Sequence, residues 1–152
     1  MLTNYGQRFV AAVMYAKGKA FIGAAVLLDQ KDGHPAVVLH LLCQGIEIIL
    51  KSMLLRIDYT KYGPRLKKIG HNLVRVAATV RAASGLHVFS NGALLHELTQ
   101  ANQFYKDQSL RYASKFDINI DPSTIPSKRL LRHITAIIQY LERIGYFNED
   151  DA

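Results

Sequence analysis

The chain has 152 residues, 49% of them hydrophobic, which is enough to fill one core without forcing a second, so a single domain spanning 1–152 is expected. Nineteen Lys and Arg against twelve Asp and Glu give a formal net charge of +7, a balance that favours polyanionic partners and also serves as an ordinary solubility device. A lone cysteine excludes a disulfide framework, and four Pro with no Trp suit long helices better than a turn-dense sandwich.

Cys43 follows the apolar run Val37 to Leu42, so a buried, inert thiol and a reducing, cytoplasmic setting are expected. Arg8, Lys17 and Lys19 interrupt the N-terminal stretch, which is wrong for the unbroken apolar core of a signal peptide.

The first helix should run from about Thr3 to Gln30, capped by Thr3 or Asn4. Lys31-Asp32-Gly33-His34-Pro35 breaks it: the glycine is expected to take the left-handed turn, and Pro35 begins the next helix without losing a needed amide bond. The second helix reaches about Arg56. Asp58 to Gly70 contains Gly63-Pro64 and should be irregular or a short turn, followed by a third helix from about His71 to Ala83 that Ser84-Gly85 ends. A fourth begins near Asn91 and sets Leu94, Leu98, Ala101 and Tyr105 on one face at helical spacing. After a connection over Asn119 to Pro126, Ser127 can cap a last helix to about Ile144, with Leu130, Ile134, Ile137, Leu141 and Ile144 as its apolar stripe. Asn148 to Ala152 is an acidic tail, expected to fray. The architecture predicted is an all-α bundle of about five helices.

The second helix is the most informative. From Val37 to Leu55 it is apolar on almost every side, as a central, fully packed helix would be. Its polar exceptions, His40, Gln44, Glu47 and Lys51, fall at i, i+4, i+7 and i+11, one stripe down one side. Four polar groups also make bilayer insertion expensive, so no membrane span is expected. The stripe is either a solvent-facing row with a Glu47–Lys51 surface pair, or a polar seam inside the bundle or a dimer, whose charges must find partners. His71 and Asn72 are the candidate partners.

The run from Leu39 to Leu55, with its Glu and a Lys four residues later, followed after a short connection by Gly70-His71-Asn72-Leu73, resembles the HEPN domains. Phe104-Tyr105 and Arg111-Tyr112 are similar to the aromatic and Arg-Tyr positions of that family, and order and spacing agree over about residues 5 to 144. The resemblance implies a HEPN-like helical bundle that dimerises and a toxin–antitoxin or phage-defence setting, with an antitoxin or nucleotidyltransferase as partner. For a subset of members it implies metal-independent ribonuclease activity from an Arg followed four to six residues later by His.

Arg65 and His71 satisfy that signature. The chemistry is coherent: an imidazole moves a proton at the RNA 2′-hydroxyl while a guanidinium stabilises the charge growing on phosphorus oxygens. Arg81 and His87 have the same spacing, however, and nine Arg with six His in this chain give about one accidental match. Leu66 also stands where catalytic members usually carry a polar residue, and Gly63-Pro64 and Gly70 bracket the arginine. His71 is alternatively a helix-start residue bonded to the preceding loop, and Arg65, Lys67 and Lys68 a solvated basic cluster. His34, His40, His87, His96 and His133 have no paired ligand spacing, and no phosphate-cradling Gly-rich loop occurs, so neither metal nor cofactor is expected.

Three functions remain open: a nucleic-acid- or partner-binding HEPN-like module, with RNA or a nucleotide as ligand; a ribonuclease using Arg65 and His71; and a helical structural or regulatory protein whose basic surface only aids solubility.

Overall fold

The computed structural model describes residues 1–106 and 127–148, and every regular element among them is helical, with no strand. Five helices dominate: α1 (Asn4–Gln30), α2 (Pro35–Ile57), α5 (Leu73–Ser84), α6 (Gly92–Tyr105) and α7 (Ser127–Arg143). Two single-turn helices, α3 (Tyr59–Tyr62) and α4 (Leu66–Ile69), lie between α2 and α5 on either side of a 3₁₀ turn at Gly63–Arg65. The segment expected to be irregular is therefore mostly helical turns: Asp58 caps α3 by accepting from the Lys61 amide at 2.9 Å, and Pro64 is tolerated because it enters at the start of the 3₁₀ turn. The 119–126 connection, Arg111-Tyr112 and residues 149–152 of the acidic tail lie outside the described residues.

Thr3 caps α1, its hydroxyl accepting from the Gly6 amide at 3.1 Å. The α1–α2 turn differs from expectation in detail. Asp32, not Gly33, takes the left-handed conformation (φ 53°), as short polar side chains tolerate. Gly33 is needed for a different reason, since a Cβ there would lie 2.3 Å from the Leu28 side chain. His34 then caps α2 through Nδ1, which accepts from the Ala36 amide at 3.2 Å.

α2 is the central helix, packing along α1 and against α3, α5, α6 and α7. From Ile49 to Leu55 every residue is buried, which only an element with neighbours all round achieves. α1 and α2 cross where two glycines meet: a Cβ on Gly18 would come 2.6 Å from Ile49, and one on Gly45 would come 2.6 Å from Ile22 and 2.9 Å from the Gly18 carbonyl. Both helices are long and apolar enough to cross a membrane by composition, but 67% of the apolar window of α2 is buried in the bundle against 28% for α1. α2 thus fills the core, while α1 keeps an apolar face exposed.

α6 and α7 close the bundle with the predicted stripes. Leu94, Leu98, Ala101 and Tyr105 are all buried, as are Leu130, Ile134, Ile137 and Leu141. Ile144 is the exception; it lies beyond the end of α7 and is exposed.

Candidate functional site

The polar stripe of α2 turns inward. Gln44, Glu47 and Lys51 face the start of α5 and the end of α6, so the surface-row alternative does not hold and the stripe is a seam within one chain. Glu47 is its centre, only 4% exposed. Its Oε1 accepts from the Lys51 ammonium at 2.6 Å; its Oε2 takes His71 Nδ1 at 3.0 Å and the Tyr105 hydroxyl at 2.5 Å. Burial pushes the Glu47 carboxyl up, but hydrogen bonds from Lys51, Tyr105 and His71 and the Lys51 charge outweigh it and hold it below the ordinary carboxylate value. The carboxylate stays charged because both of its oxygens are held by donors, Lys51 on Oε1 and His71 and Tyr105 on Oε2.

The phenol of Tyr105 has one hydrogen, and the carboxylate is its stronger acceptor; the Gln44 amide lies 3.1 Å from the same oxygen. His40 comes one turn earlier on α2 and tilts its ring toward Tyr105 with centroids 5.9 Å apart, while His71 meets the same ring edge-on. Burial, and then the Glu47 charge, push the Cys43 thiol up, so it is a packing residue and no nucleophile.

Local backbone chemistry delivers His71 to this carboxylate. Gly70 adopts φ 63°, ψ −146°, a conformation only glycine holds without strain, and turns the chain between α4 and α5. His71 sits in that turn and not in the following helix. Asn72 caps α5, accepting from the Arg75 amide at 3.0 Å and from Asn102 Nδ2 at 3.1 Å, while Asn102 Oδ1 accepts from the Leu73 amide at 2.9 Å. Of the two candidate partners of the seam, His71 bonds it directly, and Asn72 clasps α5 to α6 beside it. With Nδ1–H directed at Glu47, His71 presents Nε2 from a side chain that is 40% exposed. This is the arrangement by which a carboxylate fixes the tautomer and orientation of an imidazole.

Arg65 is elsewhere. It is exposed and lines an open groove between α3 and α5 with Lys61, Arg75, Asp58, Tyr62 and Thr79; His71 is not among the lining residues. Lys67 and Lys68 are exposed on α4, and Arg81 and His87, the pair with the same spacing, are exposed as well. Within one chain, therefore, the structure brings His71 to Glu47 and Arg65 to two other cations.

Tyr105, Asn102, Lys61 and Arg75 complete these arrangements without having been singled out as partners in the sequence. Tyr105 lies on the buried face of α6 as its periodicity requires, but 58 residues separate it from Glu47, and no local pattern links the two. Glu97 is a second buried carboxylate, with the Arg129 guanidinium 4.0 Å from Oε1.

No protein-family model, curated protein or solved structure matches this chain.

Proposed function

We propose that the chain is a HEPN-like, homodimeric helical module of the toxin–antitoxin or phage-defence type, acting in the cytoplasm and binding RNA through the groove between α3 and α5. The observation that carries this reading is the convergence of Lys61, Arg65 and Arg75 on one open groove, with Asp58 as the acidic lining residue. The Asp58 carboxylate also caps α3 and keeps its charge, but three cations against this one anion leave the lining net positive. An apolar floor of Ile57, Tyr62, Ala78 and Ala82 offers contact for bases or sugars, and the cations offer it for phosphates.

Binding of a fluorescent single-stranded RNA, followed by anisotropy across a salt series, tests the reading. Each phosphate contact on a single strand contributes about 0.7 to the slope of log affinity against log salt, so changing Lys61, Arg65 and Arg75 together to Gln should flatten the slope by about 2. An unchanged slope would overturn the groove assignment.

A second reading, metal-independent cleavage of RNA, is favoured by the Glu47–His71 contact, which orients an imidazole as a proton-transfer group. Cleavage in EDTA should then be abolished by His71→Ala and by Arg65→Ala and spared by His87→Ala. Because His71 is part-exposed, His71→Ala should lower stability by only about 1 kcal/mol, and a thermal melt separates loss of chemistry from loss of fold. Cleavage that survives His71→Ala rules this reading out.

A further inference from the structure

A helix face turned to solvent is normally polar, and that of α1 is not. Between Tyr5 and Leu27 the exposed residues are Tyr5, Phe9, Val13, Ala16, Lys17, Ala20, Gly23, Ala24 and Leu27, a single charge among them. Phe9 is 51% exposed and Leu27 64%. Phe9, Val13, Ala16, Ala20, Gly23 and Leu27 follow one another at spacings of four, three, four, three and four, so they form one straight seam instead of a scatter. We infer that this face is the homodimer interface, in which α1 packs antiparallel against α1 of a second copy.

The seam is complementary to itself when reversed. Its large residues stand at the two ends and its small ones in the middle. An antiparallel copy centred between Ala16 and Ala20 sets Phe9 against the second copy's Leu27, Val13 against its Gly23, and Ala16 against its Ala20. The small central residues let the two backbones approach closely, and nothing lies within 4 Å of where a Gly23 Cβ would be, so Val13 of the second copy has room there. Each contact occurs twice, as two-fold symmetry demands.

Size is consistent with this. α1 has 27 residues, hence about 40 Å of length, and a seam that long buries on the order of 1,000 Å² over both copies, the lower bound for a specific interface. Lys17 lies on the flank of the seam, where its stem can cover apolar surface while the ammonium stays in water. α2 cannot serve in place of α1, because its own apolar surface is already used by the bundle.

The inference rests on the dimeric reading above and adds where the two chains meet. Light scattering on the full chain at high concentration should give twice the 17.1 kDa chain mass. Ala20→Arg puts a cation at the centre of the seam beside Lys17 and should weaken the dimer by about a hundredfold or more, with helical circular dichroism unchanged because Ala20 is exposed. Oxidising a mixture of Ala16→Cys and Ala20→Cys chains should yield the mixed cross-linked dimer, Cys43 being buried and out of reach. Wild-type protein that stays at the chain mass would overturn both the dimer and its interface. A dimer that persists in Ala20→Arg, or absence of the mixed cross-link, would overturn the interface alone. Monomers that co-sediment with phosphatidylcholine–phosphatidylglycerol vesicles through this face would assign it to a lipid surface and likewise overturn the proposal.

Discussion

Replacing Glu47 by Ala should lower stability by about 3–5 kcal/mol, the cost of leaving a buried charge without its partner. Lys51 is 9% exposed, and its ammonium pairs with the Glu47 carboxylate at 2.6 Å, so the truncation strands a cation in the core. The Tyr105 hydroxyl and His71 Nδ1 lose their acceptor at the same time. A urea denaturation curve of the variant measures the loss, and a change under about 1 kcal/mol would show that the seam is solvated. Replacing Glu47 and Lys51 together by Leu and Met should restore most of the stability, because a pair of apolar residues leaves no charge behind. The same carboxylate shapes the acid limb. Its folded-state value lies below the ordinary 4.5, so the charged form is favoured by folding. This contribution is complete above 4.5 and is lost as pH falls through the depressed folded value. In Glu47→Ala the decline of stability below pH 4.5 should therefore be shallower than in the parent.

The spacing of His40, Gln44, Glu47 and Lys51 makes a one-sided stripe legible in the sequence, because helical period alone places them together. Whether that side faces water was not legible, since the answer depends on two elements arriving from 24 and 58 residues away with His71 and Tyr105. Whether the Arg65–His71 spacing brings the two side chains together was not legible either, for a related reason. Spacing along a chain fixes proximity only if the backbone between is regular, and here the 3₁₀ turn ends at Arg65, and a single helical turn and Gly70 at positive φ intervene before His71. Asp58 to Gly70 read as irregular because Gly63-Pro64 breaks a long helix; it does not prevent two short ones. The apolar stripes of α6 and α7 were legible almost residue by residue, as amphipathic helices on the rim of a core must be.

Gly18 and Gly45 carried no signal in the sequence, and their role follows only from the crossing they permit. Gly45→Ala sets two effects against each other. Alanine is better than glycine in a helix interior by about 1 kcal/mol. The new methyl would lie 2.9 Å from the Gly18 carbonyl oxygen and 2.6 Å from Ile22 Cδ1. Ile22 can turn aside at a modest cost, but the carbonyl belongs to the α1 backbone and yields only if the whole crossing opens. Opening α1 from α2 loosens the packing of Ile22, Ile46 and Ile49, which are each at most 5% exposed, so overpacking of about 1–3 kcal/mol should exceed the gain in propensity. Gly45→Val adds two more methyls and should exceed that range. Gly23→Ala supplies the contrast, for it lies in the same long helix as Gly18 with open space around it; measured at concentrations too low for association, it should stabilise by up to about 1 kcal/mol. Equal and opposite shifts are not required, only opposite signs: a Gly45→Ala protein that melts above its parent would mean that the two helices do not meet at these glycines.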